Sequence, residues 1–261
     1  MQLRTTLVKF QDRYEIGVVS RMKQDWAALR GVTYTQADRH YRKWQLWRIG
    51  NYTSNGALFS VMLRSRSDRE RPDLFCFAVL ADFRGYYPAY SERIKKLNYL
   101  SWIVLKAYAA NDTGTVRLAS ASPFERPRIE FNSFGQETAQ DRDDLRAVVT
   151  GIKFVRRVAD AMGDLVAEEE TPGRHVFTDE QLGQYVRDTT WGHHACGTCA
   201  MKPRDQGGVV DSRFRVYGVA NLRIVDASVM PTITSGNTNA PTMMIAEKGA
   251  AMMLEDARPS V

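Results

Sequence analysis

WGHHACGTCAM (residues 191–201) opens a C-terminal segment that closes on SGNTNAPTMMIAEK (235–248), and the reading of this segment decides the rest. Between the two lies GVANLRIVDAS (218–228), a glycine turn leading into a strand-like run. A helix is expected to begin at Pro241, because the missing proline N–H would have no intrahelical partner in a first turn. Met244, Ile245, Ala251 and Met252 then recur at roughly helical spacing and are expected to form its apolar side. A histidine loop, a strand and a helix start thus follow one another. Helix N-termini carry free N–H groups and partial positive charge, and they favour electron-rich ligand atoms.

Three chemical readings compete for HHACGTC (193–199). A CxxC beside histidines can bind zinc, but tetrahedral sites usually draw ligands from two separated pairs, and adjacent histidines are expected to point apart. A CxxC can be a redox pair, but such pairs open a helix after a strand, and the preceding residues here read as helical. An imidazole held by a glycine-rich loop can accept a proton near neutral pH. A purely structural histidine pair explains the loop equally well. Asn237 and Asn239, one residue apart before the helix, can donate and accept hydrogen bonds at a ligand or simply form Asx turns. Asp226 ends the strand-like run, where open α/β sheets bind ligands.

Outward from this segment, the chain alternates loosely over residues 1–20 (Leu7, Phe10, Tyr14, Ile16, Val18), giving one or two short strands. Helices are expected over 21–30 and 35–48, the second capped by Thr35, with Ala37, Tyr41, Trp44 and Trp47 packed into the core. Asn55-Gly56 marks a turn before a strand at 58–63. LFCFAVLA (74–81) reads as a strand buried on both faces, and 97–107 as another. A strand–turn–strand follows, with Val116 and Leu118 on one arm and Ile129 and Phe131 on the other. Asp141 caps a long helix whose buried stripe is Leu145, Val148, Val149, Ile152, Val155 and Met162. EEETPGRH (168–175) reads as the loop that ends it, and 179–187 as a shorter helix. The class is α+β: an antiparallel sheet flanked by helices, then part of a second domain. The boundary is expected near residue 175, giving domains 1–175 and 176–261.

Composition sets limits. The absence of an apolar run of membrane-spanning length argues against a transmembrane helix. The net charge of +6 is spread among acids, as in DRDDLR, which reads as a solvated surface rather than a nucleic-acid face. Three cysteines cannot form a fully paired disulfide framework, which favours a reducing compartment such as the cytoplasm.

Taken in order, HACGTCAM (194–201), GVVDSRFRVYGVANLRIVDASVMP (208–231) and SGNTNAPTMMIAEK (235–248) resemble the C-terminal signature of the glucose–methanol–choline oxidoreductases. FQDRYEIGV (10–18) resembles that family's LQDH segment, and TGTVRLASASPFERPRIEFN (113–132) its substrate-domain strand pair. The resemblance implies an FAD-dependent oxidation of an alcohol. His194 would be the base that accepts the hydroxyl proton, and Asn237 would orient the alcohol. Asp226 and Ala227 would lie near the ribityl and diphosphate portion of FAD. The backbone around Asn237, Thr238 and Asn239 would face the flavin pyrimidine edge, where the helix N-terminus suits negative charge. No metal is implied. The substrate pocket would be lined by GYYPAYS (85–91), residues near 50–58 and the histidine loop, with Trp191 nearby, favouring an apolar or aromatic alcohol over a sugar.

One departure is large: the family's GxGxxG phosphate-binding turn is missing from this sequence. The chain therefore corresponds to a C-terminal half: the substrate domain plus the last strand and helix of an FAD domain. Its expected partner is an N-terminal dinucleotide-binding half, in cis or as a separate chain. The competing reading is a non-catalytic remnant or binding module.

Overall fold

The computed structural model describes residues 9–135 and 137–258. Leu7 lies outside them. The residues form two interleaved compact units. One combines the described residues of Met1–Tyr14, Ala107–Asp144 and Gly192–Val261; the other combines Glu15–Lys106 and Leu145–Trp191. The chain therefore changes unit four times, and none of those changes falls near residue 175.

The second unit is built on a five-stranded antiparallel sheet. Its strands are β2 (Glu15–Met22), β3 (Ala57–Leu63), β4 (Leu74–Val79), β5 (Tyr99–Lys106) and β8 (Val166–Thr171), in the order β3-β4-β5-β2-β8. Every residue of the central strand β5 is buried, and β2 is nearly so; Ile16 pairs with Val104 and Val18 with Trp102. The apolar run in β4 is not buried on both faces. Leu74, Cys76 and Ala78 are buried while Phe75, Phe77 and Val79 are only partly so, the two-residue period of a sheet with one covered face. Helix α3 (Ala139–Ala161) supplies the cover through Leu145, Val148, Val149, Ile152 and Val155. Gly151 sets its approach: a Cβ there would stand 2.4 Å from Val104 Cγ1, so only a residue without one lets helix and sheet meet so closely. Met162 lies past the helix end and is half-buried. The cap is reciprocal. Thr138 Oγ1 accepts from the Asp141 N–H at 3.0 Å, and the Asp141 carboxylate accepts from the Thr138 N–H at 3.3 Å. Asp141 thus sits in the first turn and Thr138 is the cap.

Further sequence expectations are corrected in this unit. The acidic run Glu168-Glu169-Glu170 is not a loop but the body of edge strand β8. Each carboxylate meets a cation: Glu168 meets Arg21 on β2, Glu170 meets Arg21 and Arg84, and buried Glu169 meets Arg156 of α3 at 2.6 Å. Charge on an edge strand also discourages further strand pairing. Residues 21–30 are not a helix; Arg21 and Met22 complete β2, and only Ala27–Leu29 forms a single 3₁₀ turn. The next helix, α1 (Arg39–Trp47), is shorter than expected and is capped by Asp38 rather than Thr35, through the His40 N–H at 2.7 Å. It buries no residue, and Trp47 is 65% exposed, so its aromatic side is not core. Helix α2 (Tyr90–Arg93) is one turn, and α4 (Asp179–Thr189) carries a full capping box between Thr178 and Gln181.

The first unit holds a small antiparallel sheet of β1 (Lys9–Phe10), β6 (Gly114–Arg117) and β7 (Arg128–Glu130), in the order β1-β6-β7. Here the expected strand–turn–strand is present, with Val116 opposite Ile129. The last element is helix α5 (Asn239–Asp256), with Pro241 in its first turn. The apolar stripe expected on it is displaced: Ile245, Gly249 and Met252 face inward, whereas Met244 is 61% exposed and Ala251 is exposed. Among the described residues, 222–226 join no sheet: an isolated bridge links Arg223 to Arg215, with the Leu222 carbonyl accepting from the Val216 N–H at 3.0 Å and the Ile224 N–H donating to the Phe214 carbonyl at 3.1 Å. A strand needs hydrogen-bonded neighbours along its length, and this pairing stops at one bridge.

The Glu169–Arg156 pair gives a direct test of the β8 assignment. Glu169→Ala leaves a buried guanidinium uncompensated and is expected to cost about 3–5 kcal/mol in urea unfolding. A loop placement of residues 168–170 predicts almost no change.

Candidate functional site

The histidine loop is held by three consecutive residues far away in sequence, Gln11-Asp12-Arg13. The Gln11 N–H donates to the Cys196 carbonyl at 3.0 Å, and the Cys196 N–H donates back to the Gln11 carbonyl at 2.9 Å. The Gln11 side-chain oxygen accepts the Ile233 N–H at 2.7 Å. Asp12 Oδ1 accepts two backbone N–H groups, from Arg13 at 2.7 Å and from His194 at 2.9 Å. The Arg13 guanidinium, 1% exposed, donates to the carbonyls of Ala107 and Thr234. One short segment therefore grips the chain two residues past His194 and again three residues before Asn237. Gly192 makes the crossing possible, since a Cβ there would lie 2.6 Å from the Asp12 carboxylate.

The far side of the loop is tied to the segment after Asp226. The Cys199 N–H donates to the Ser228 carbonyl and the Met201 N–H to the Val229 carbonyl, both at 2.8 Å. Cys196, Met230 and Ile233 form a small buried cluster, with Tyr108, Ala227 and Ile245 packed against it. The structure thus brings together the backbone of the histidine loop, Ala227, the 233–234 turn and the first turns of α5.

Within this frame the expected residues take different positions. His194 is buried at 4% exposure, its neighbour His193 is exposed, and the two rings lie side by side with centroids 4.2 Å apart and planes tilted by 33°. The expectation that they point apart is therefore corrected. Asp226 is exposed and its carboxylate caps the 3₁₀ turn Ala227–Val229, accepting from the Ser228 N–H at 2.8 Å. Asn237 and Asn239 are exposed, and Thr238 is half-buried. No side chain caps the N-terminus of α5, and the Thr238 carbonyl is taken by Thr242. Cys196 lacks the character of a ligand or redox group. Burial in the apolar cluster, with Asp12 nearby, pushes the Cys196 thiol up to about 11, away from the thiolate.

In the other unit, the tyrosine-rich loop and Trp191 do meet. Phe83 packs edge-on to Trp191, Tyr86 and Tyr90 at 6.2, 5.2 and 6.2 Å between centroids. The clamp residues Gln11, Asp12 and Arg13 were legible in sequence only as a family echo. A buried arginine and a surface arginine look alike in a sequence.

The comparisons with known proteins agree with this architecture. The family model described as GMC oxidoreductase matches residues 110–246. The chain belongs to the glucose–methanol–choline oxidoreductase family. Within it, the chain is 39% identical over 251 residues to an oxygen-dependent choline dehydrogenase of Vibrio vulnificus, covering 95% of this chain and 42% of that protein. It is 34% identical to the human mitochondrial choline dehydrogenase over 86% of this chain and 38% of that one. It is 33% identical to an alcohol dehydrogenase [acceptor] of Pseudomonas putida, over 79% and 36% of the two chains. Formate oxidase shares the fold, with a TM-score of 0.75 at 23% identity over 95% of this chain and 47% of that one. The chain thus spans about two-fifths of the length of the curated relatives it matches.

Two measurements check the clamp. Asp12→Ala removes the acceptor for the His194 and Arg13 N–H groups; it is expected to cost about 1–3 kcal/mol and to speed hydrogen exchange at the His194 amide about tenfold or more. Alkylation of the folded protein at mildly alkaline pH is expected to spare Cys196, and denaturation to expose it. Rapid labelling of Cys196 in the native protein contradicts its raised thiol pKa.

Proposed function

We propose that this chain carries the proton-accepting and alcohol-orienting part of an FAD-dependent oxidoreductase acting on CH–OH groups. The observation that carries the proposal is the clamp: Gln11, Asp12 and Arg13 fix the His194 loop and the approach to Asn237 to one support. The relatives named as choline and alcohol dehydrogenases support an alcohol as the substrate class. In the reaction, His194 accepts the hydroxyl proton. A neutral imidazole can do this, and a base whose backbone is clamped loses little freedom when substrate binds. Asn237, exposed and on the tethered turn, hydrogen-bonds the hydroxyl oxygen and orients it.

FAD supplies the hydride acceptor when bound. The residues here fit one edge of it. The N-terminus of α5 has no side-chain cap, so the N–H groups of Asn239 and Ala240 remain available to an electron-rich acceptor. Asp226, with Ala227, would face the ribityl and diphosphate portion, its carboxylate already oriented by Ser228. Thr238 and Asn237 would flank the pyrimidine edge. The rest of the dinucleotide would be held by an N-terminal dinucleotide-binding half, in cis or as a separate chain; the relatives' greater length supports this.

The test is made on an assembly of this chain with such a half that binds flavin. His194→Ala is expected to slow alcohol-dependent flavin reduction by about 10²–10⁴-fold while flavin absorbance is retained. Asn237→Ala is expected to raise KM and lower kcat by less. Unchanged reduction in the His194 variant removes the base assignment.

A further inference from the structure

Residues 39–67 break the charge pattern of the chain. They hold Arg39, Arg42, Lys43, Arg48, Arg64 and Arg66 and no aspartate or glutamate. Four of these cations lie on helix α1 or at its C-terminal cap. Asp38, which caps the other end, is buried, and its carboxylate is committed to the Thr33 and His40 N–H groups and the Tyr52 hydroxyl. Among the described residues no carboxylate pairs with Arg39, Arg42, Lys43 or Arg48. Arg39 donates to the Arg30 carbonyl at 2.8 Å, and the Arg48 guanidinium lies over the Trp44 ring, 4.8 Å from its centroid.

The helix has an inner and an outer side. Tyr41 and Trp44 are half-buried, and Tyr41 stands edge-on to Tyr52 at 5.9 Å between centroids. The other side is cationic and apolar together. Arg42 and Leu46 are one turn apart, as are Lys43 and Trp47, and all four are exposed, Leu46 at 70% and Trp47 at 65%. The chain leaves the helix at Arg48 with a left-handed φ of +55°, and Ile49 beyond it is exposed too. Other exposed apolar side chains sit beside acids: Phe124 precedes Glu125, and Leu254 precedes Glu255 and Asp256.

Unpaired cations select an anionic partner, and the apolar groups among them select which one. A nucleic acid offers phosphates, and base faces for Trp47, but nothing for Leu46 and Ile49. An acidic protein segment answers the charge and leaves all three apolar groups in water. A bilayer bearing anionic lipids answers both: phosphates attract Arg and Lys, the headgroup layer suits the tryptophan ring, and the acyl boundary takes aliphatic groups. Nine residues make a helix about 14 Å long, against a hydrocarbon core of about 30 Å, so α1 would lie in the surface and not cross it. No helix among the described residues is long and apolar enough to cross a membrane.

We propose that the outer side of α1 docks the protein on an anionic bilayer surface, with Leu46, Trp47 and Ile49 in the boundary layer and Arg42 and Lys43 on lipid phosphates. None of these residues is assigned to the flavin or the alcohol, so docking stands or falls separately from the oxidation proposed above.

The test is co-sedimentation of the full chain with vesicles of phosphatidylcholine alone or mixed with phosphatidylglycerol. Each cation near such a surface contributes roughly a fivefold gain in partitioning, so the mixed vesicles are expected to bind at least about tenfold more tightly, and less so as salt rises from about 0.05 to 0.5 M. Arg42→Gln with Lys43→Gln, and separately Leu46→Ala with Trp47→Ala, are each expected to weaken binding about tenfold or more. Circular dichroism and unfolding are expected to change little, since none of the four is buried. Equal binding to both vesicles, no binding, or binding that survives both pairs of changes overturns the proposal. So does binding lost instead on Met244→Ser with Leu254→Ser, which assigns it to α5. Tighter binding of a single-stranded oligonucleotide than of the mixed vesicles overturns it in favour of a nucleic-acid face.

Discussion

The double hydrogen bond between the backbones of Gln11 and Cys196 is the constraint on which the candidate site depends. A loop with this much glycine has many conformations open to it, and ordering each residue costs about 1–2 kcal/mol of backbone entropy. Gln11 anchors the loop at its centre, Asp12 anchors it at His194, and Arg13 reaches the turn ahead of Asn237. The anchors are polar contacts at least partly shielded from water, which stabilise modestly when made and destabilise more when half-broken. That asymmetry gives the loop one arrangement rather than several.

The same logic runs through β8 in the other unit. Glu168, Glu169 and Glu170 would repel one another in an isolated strand. They are held because Arg21, Arg84, Arg156 and the Tyr99 hydroxyl receive them. Helix α5 shows the opposite case. Met243, Met244 and Leu254 are each more than 60% exposed, so this face is apolar and uncovered among the described residues. A helix hydrophobic on more than one side belongs in the interior of something larger. That fits a family whose relatives extend well beyond the part matched here.

Much of the fold was legible where a strong local pattern met ordinary packing. The buried stripe of α3, the all-buried β5 and the paired arms β6 and β7 follow from periodicity and turn residues. The departures from the sequence expectations have more than one cause. The acidic strand β8 depends on Arg21 and Arg84, distant in the chain, which local propensity does not record, whereas α1 is a surface helix that leaves its aromatic side uncovered and 222–226 makes a single short bridge to Arg215. Asp38 displaced Thr35 as a cap because Thr33 and Tyr52 gave its carboxylate further donors.

The sequence by itself determined the family and singled out His194, Asn237 and Asp226 as candidate site residues, because motif order and spacing are written in the chain. Only the tertiary structure decided that His194 is buried while His193 is exposed, that Asp226 caps its own turn, and that a glutamine, an aspartate and an arginine from the start of the chain support the histidine loop. The reason is physical: burial and hydrogen-bond partnership are properties of pairs of residues, and those pairs are 182 positions apart for Asp12 and His194 and 221 for Arg13 and Thr234.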